Sequence, residues 1–381
     1  MSAISTLSSY LQNIGLVQNN QNEIAQLTYQ VDTGLKSQDL KGYGTQANQL
    51  LNLQSATTTE QNYVSNNTQT QTFLSAYDTT LTQITSDATK LSASLDAFTV
   101  TDPEAVTNLQ ALVKALQVDV GATLNTQIGG RYLYGGTRYT TAPVTDLTQL
   151  PAPTFVVPAT TPPTVTPLTV ALLPAPNPQT TPTATPALPP YDAQASVVNS
   201  AAPAPTAAQV ATATLSYATQ TTAIAENQTT TYGISSNNPT FQHLIYALQC
   251  AQAAASTNTS TAAGLANQQA LIQQATSEVS IALNGSPAVA ASAGPPAVSA
   301  VAQVDSLQSL QDQNGTALTI VTNANKVHNQ TLATLQSQIT NIDQVDPATV
   351  ATELSTAQNT LEGSYKVVSS VLNETLLNYL K

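Results

Sequence analysis

Two apolar stripes at opposite ends of the chain limit what it can fold into. From Thr352 to Lys381 the apolar residues Leu354, Leu361, Tyr365, Val368, Leu372, Leu376 and Leu380 form one continuous face on a 3.6-residue helix. At the other end Ile4, Leu7, Leu11, Ile14 and Val17 recur at steps of three and four, and Ile24, Leu27, Val31 and Leu35 resume the pattern. Each stripe needs a covering surface, and each is a match for the other. Everything between them is then displayed from a pair of terminal helices. Termini fray unless they are held, so stripes running this far point to burial between subunits. The expected assembly interface comprises Ile4, Leu7, Leu11, Ile14 and Val17 with Leu361, Tyr365, Val368, Leu372, Leu376 and Leu380.

Two inner stretches repeat the helical grammar. Leu74, Tyr77, Leu81, Ile84, Ala88, Leu91, Leu95 and Phe98 alternate strictly by three and four, as do Leu318, Val321, Asn325, His328, Leu332, Leu335, Ile339 and Ile342. Such alternation favours coiled-coil seams, here read as core within one subunit. Asp102-Pro103-Glu104, Asn238-Pro239 and Asp346-Pro347 each place a capping side chain before a proline suited to the first helical position. They open helices whose inner faces run Val106, Leu109, Val113, Leu116, Val120 and Leu124, then Phe241, Leu244, Leu248 and Ala251, then the final stripe. Residues 1–40 read as one helix with a weak point at Thr33-Gly34, followed by a loop at Gly42-Tyr43-Gly44.

Between these helical halves the pattern changes. Gly129-Gly130-Arg131-Tyr132-Leu133-Tyr134-Gly135-Gly136 reads as a short strand between glycine turns. Pro143 to Pro205 holds most of the chain's 22 prolines. Such a stretch forms either a small β domain, using runs such as Thr154-Phe155-Val156-Val157 and Leu168-Thr169-Val170, or an extended linker. Strands are expected between Ala211 and Tyr232. The fold expected is therefore mainly α, a long helical hairpin or coiled-coil bundle built by the N- and C-terminal regions with a central β or Pro-rich inserted domain. Its divisions are an N-terminal assembly helix (1–40), two helical coiled-coil halves (41–128 and 238–346), the central segment (129–237) and a C-terminal assembly helix (347–381).

Charge narrows the function. Only 8% of the 381 residues are charged, against about a quarter in ordinary globular chains. The net charge is −12 with 9 Lys and Arg together, which leaves no basic patch for nucleic acid or an anionic membrane surface. No apolar run reaches the length of a membrane span, and Met1-Ser-Ala-Ile-Ser-Thr-Leu lacks the basic and apolar regions of a cleaved secretory signal. A single cysteine, Cys250, excludes an internal disulfide framework. The expected partners are other proteins.

The residues offer little for catalysis. Gly130 to Gly135 has the spacing of a phosphate loop but continues Gly136-Thr137, where a phosphate-contacting Lys is required. His243 and Cys250 lie seven apart on one helix face, without the further ligands a zinc site needs. The better reading is a small buried thiol beside a polar histidine. His328 and Asn325 on the second seam read as register-fixing polar residues. Asp343 and Asp346 could be paired carboxylates, although Pro347 explains Asp346 as a cap. No enzyme activity, cofactor or metal is expected.

Gln26-Leu27-Thr28-Tyr29-Gln30-Val31-Asp32-Thr33-Gly34-Leu35-Lys36 resembles the Q-L-x-x-Q-x-S-T-G-K stretch of the bacterial flagellin family. Gly130-Arg131-Tyr132-Leu133-Tyr134-Gly135-Gly136-Thr137 is similar to the G-x-Y-L-F-x-G-T motif of that family's hook–filament junction members. Leu361-Glu362-Gly363-Ser364-Tyr365-Lys366 and Leu376-Leu377-Asn378-Tyr379-Leu380 are like their closing helix. The family's S-D-D-P turn is replaced by Ser37-Gln38-Asp39-Leu40-Lys41-Gly42-Tyr43-Gly44, and residues 143–232 have no counterpart. The resemblance implies a structural subunit of the flagellum, exported through the flagellar type III channel without signal cleavage and assembled outside the cell. It implies partners in other copies of the chain, hook-side and filament-side flagellar proteins, and an export chaperone that holds the C-terminal helix. A hook–filament junction protein fits ahead of a filament flagellin. An adhesin with a helical stalk is the more distant alternative.

Overall fold

The computed structural model describes residues 2–100, 102–136, 139–140, 142–144, 146–150, 219–287 and 303–379, with side chains described between residues 11 and 370 of those spans. The architecture is mainly helical. Its helices are α1 (Ser2–Thr33), α2 (Ala47–Asp96), α3 (Pro103–Leu124), α4 (Pro239–Ser256), α5 (Ala262–Asn284), α6 (Leu307–Asp343) and α7 (Pro347–Tyr379). Two short antiparallel hairpins join them: β1 (Gln127–Ile128) with β2 (Arg131–Tyr132), and β3 (Gln220–Ala225) with β4 (Gln228–Tyr232). The chain forms two compact units. Unit 1 is Met1–Val64 with Lys326–Lys381, and unit 2 is Ser65–Asn325.

Unit 2 holds the large core. Tyr77, Leu81, Ile84, Ala88, Leu91 and Leu95 of α2 pack there with Leu109, Val113, Leu116, Val120 and Leu124 of α3. The heptad residues are buried as the spacing predicts, but in a wide multi-helix core and not in a two-helix seam. α4 explains the difference. It is buried on every side, from Phe241 through Cys250, so its alanines and small polar residues let neighbours close around it where the sequence marked only one inner face. Cys250 and Ala254 are fully enclosed. Glutamines supply the remaining polar links, as where the Gln268 amide donates to the Ala254 carbonyl at 3.1 Å.

Local chemistry sets the helix ends. Asp102 accepts from the Glu104 N–H at 2.9 Å, Asn238 from the Thr240 N–H at 2.9 Å, and Asp346 from the Ala348 N–H at 3.1 Å, each with proline opening the helix. Thr261 caps α5 through the Gly264 N–H at 3.0 Å, breaking at residues 257–261 what sequence reads as one helical stretch. Gly285, at φ +78°, ends α5.

Sequence reading starts the inserted segment at residue 129, whereas the structure carries Leu133, Tyr134, Val144, Leu147 and Leu150 into the helical core. The hairpin link Gly129-Gly130 has φ of +57° and +78°, the left-handed geometry a two-residue turn requires. The expected strand then shortens to β2 and passes into a 3₁₀ turn at Leu133–Gly135. Tyr134 lies edge-on to Tyr77 and Phe241, at centroid distances of 5.2 and 5.4 Å. The second hairpin also packs on helices: Ile224 joins Leu74, Ala317 and Val321, and the Asn67 amide donates to the Ile224 carbonyl at 3.0 Å. The runs at Thr154–Val157 and Leu168–Val170, most of Pro143 to Pro205, and residues 211–218 lie outside the described residues.

Candidate assembly surface

In unit 1, α1 and α7 run antiparallel. Asn20 donates to the Ser364 hydroxyl at 3.2 Å and Gln21 to the Tyr365 hydroxyl at 2.7 Å. Further along, Leu27, Val350 and Ala357 make a small cluster with Ile24, Val345 and Leu354 against it. The first helix does not run to residue 40 as its sequence suggests. It stops at Thr33 because Gly34 adopts φ +71°, and the chain turns into a bridge between Leu35 and Gln344. There the Lys36 N–H donates to the Asp343 carbonyl at 2.7 Å and the Val345 N–H to the Gly34 carbonyl at 3.0 Å.

The loop expected at Gly42-Tyr43-Gly44 is a 3₁₀ segment, Leu40–Gln46, kinked at Gly44. Its Tyr43 is buried with Leu50 and Ile342. The Tyr43 hydroxyl meets the Ser37 carbonyl at 3.0 Å and the Asp343 carboxylate. Burial, then the hydrogen bond and negative charge of Asp343, push the phenol up to about 12. Asp343 is thus engaged with Tyr43 while Asp346 caps α7, so the two do not form a carboxylate pair. This clasp fastens the turn after α1 to the turn before α7. On the seam between α2 and α6, the His328 ring stacks on Tyr63 at 5.0 Å and its Nδ1 meets the Glu60 carboxylate.

The pair covers only part of the terminal stripes. Leu11 is 59% and Tyr365 48% exposed, while Ile14, Val17, Leu361 and Val368 are half-buried. Ile4, Leu7, Leu372 and Leu376 belong to α1 and α7, but their side chains lie outside the described residues, as does Leu380 altogether. Leu16 and Val367, at 53% and 55% exposure, add apolar surface that stripe counting omits because they fall one position off the periodic face. The buried contacts come instead from Ile24, Leu27 and Leu354, which the stripes contained but the interface assignment did not.

Polar side chains buried in unit 2 are accounted for by packing. His243 Nδ1 meets the Glu278 carboxylate, whose other oxygen accepts from Gln274 at 2.6 Å. Cys250 is fully buried, and burial, with the nearby Glu278 charge, raises its thiol far above the ordinary range, which makes it unreactive. Among the described residues no three metal-ligating side chains come together, and no helix is long and apolar enough to cross a membrane. The described part of the glycine-rich motif, through Gly136, includes Tyr134 and Gly135 buried in the core, as the strand-turning reading requires.

No family model matches the chain, and no curated protein does. Among solved structures, a Vibrio parahaemolyticus protein described as a flagellar hook-associated protein is similar over 78% of this chain and 97% of its own length. The identity is 11% and the TM-score 0.42. At those values the likeness fixes neither fold nor function.

Proposed function

We propose that the chain is a structural subunit of the bacterial flagellum, acting at the hook–filament junction and assembled through its paired terminal helices. One observation carries the reading: α1 and α7 pair within the chain yet leave Leu11, Leu16, Tyr365 and Val367 exposed along the pair, apolar surface of the kind that marks a protein contact. The motif resemblance at Gln26–Lys36, Gly130–Thr137 and Leu361–Lys366 supports the flagellar assignment. Neighbouring copies and the hook-side and filament-side proteins cover that surface. The subunit works by contact and not by catalysis, and it reaches its place by type III export, held beforehand by a chaperone on the C-terminal helix.

Imaging a tagged copy on its native cells tests the proposal. A short collar at the base of each filament, with filaments lost when the gene is deleted, is the expected result. Label along whole filaments would make the chain a filament flagellin, and label away from the flagellum would refute the reading.

A further inference from the structure

Unit 2 carries two surface features that its own fold leaves unpaired. One is an open groove of about 870 Å³ along α2 and α6, lined by Asp78, Asp312, Gly315, Thr319 and Ile320. Gly315 helps keep it open, since a Cβ there would meet nothing within 4 Å. Both carboxylates are exposed. Asp312 accepts an amide from Gln308 at 2.9 Å, and among the described residues no Lys or Arg pairs with either acid. Ile320 is 44% exposed. The other feature is the outer face of α3, where Lys114 and Val118 stand one helical turn apart. Val118 is 55% exposed, and Lys114 is exposed without an ion pair among the described residues.

We propose that the groove receives a second copy of this chain, with Lys114 and Val118 of one copy seated against Asp78, Asp312 and Ile320 of the next. Charge selects this occupant. Copies that each carry −12 repel one another, so a contact between them is favoured where it sets a cation against carboxylates. Unit 2 has few cations to offer. Lys90 is held by Asp87 at 2.8 Å, with Asp119 acting on it as well. The Arg131 guanidinium lies over the rings of Phe73 and Tyr139 and donates to Gln220. Among the described cations of unit 2, Lys114 therefore remains to meet the acids, and the apolar Val118 beside it matches Ile320. Groove and face are different surfaces, so the contact is heterologous: each added copy presents a fresh groove or a fresh face.

This inference rests on the self-assembly in the proposed function, and not on its flagellar location. The test uses the full-length protein at high concentration. Lys114→Glu alone, and Asp78→Lys with Asp312→Lys, should each weaken association in sedimentation about three- to tenfold, the range expected for reversing a partly exposed pair. Mixing the two variants, or combining all three changes in one chain, should restore it. Val118→Cys mixed with Thr319→Cys should give an oxidised heterodimer that neither protein forms alone, because Cys250 is buried and silent. Circular dichroism checks that each variant is folded. Association indifferent to every swap, absence of association in the unaltered protein, or failure of the mixed cysteine variants to cross-link would each overturn the contact. Imaging that places the protein away from the flagellum would refute the location and leave the contact standing.

Discussion

Leu27→Ala measures how independently the terminal pair holds together. Leu27 is 7% exposed and sits with Val350 and Ala357, so truncation removes three carbons from a buried site at about 0.8 kcal/mol each. Half-buried Ile24, Val345 and Leu354 border the site and can relax into the space, which holds the cavity contribution down. The loss should be about 2–3 kcal/mol, near the low end for buried leucine truncations. Helices of this length are only marginally stable without a partner, so a loss of that size in so small a cluster should release α1 and α7 while the core of unit 2 stays closed. Hydrogen exchange read by mass spectrometry gives the answer segment by segment. Residues 20–33 and 345–365 should lose protection of a size matching that loss, with residues 77–95 and 241–255 unchanged. Leu91→Ala, in the large core, should show the converse. Equal loss of protection in both units after Leu27→Ala would refute the reasoning, and so would unchanged exchange in α7.

Glu278→Ala should cost unit 2 about 3 kcal/mol in denaturant titration, because it leaves the buried His243 without its carboxylate, and Glu278→Gln should cost clearly less. The phenols predict alkaline sensitivity. Tyr43 is raised to about 12, and burial raises Tyr77, Tyr134 and Tyr246 as well. Unfolded tyrosine titrates near pH 10, so the folded state keeps its full stability below that value and loses it as pH climbs from 10 towards 12 and beyond. Denaturation midpoints against pH should show that slope, and Tyr43→Phe should flatten part of it. A Cβ at Gly264 would come within 1.8 Å of the Asn258 carbonyl, so Gly264→Ala should lower thermal stability by about 2 kcal/mol. Gly363→Ala, with open space around it, should raise helix stability by about 0.5–1 kcal/mol.

Where the information is local, the fold was readable from the residues. Caps at Asp102, Asn238 and Asp346 act across two or three positions, and the buried series from Leu74 to Leu95 follows from one helix periodicity. Pairings between distant residues were not. His243 finds Glu278 35 positions on, His328 finds Glu60 268 positions back, and Tyr43 finds Asp343 at a separation of 300, and no periodicity links residues that far apart. The break at residues 257–261 was hidden because alanine-rich flanks carry strong helix propensity up to the Ser/Thr/Asn cluster. For the assembly surface, the stripes marked which helices pair but not which turns do so. Burial at Leu27 and exposure at Leu11 depend on how far α7 extends alongside α1.

On α2 the hydroxyls of Thr57, Thr58, Thr59, Thr70, Thr72, Thr79, Thr80, Thr82, Thr85 and Thr89 each donate to the carbonyl four residues earlier. Threonine is a poorer helix former than alanine by about 0.5 kcal/mol per residue, and together these positions make the free segment reluctant to coil by several kcal/mol. Detached from its neighbours, α2 is therefore a hydroxylated, nearly uncharged thread; seated against them, it is a rod of fifty residues. Its stiffness is conditional, borrowed from company, and a narrow conduit that admits only thread would meet little resistance from a helix of this kind.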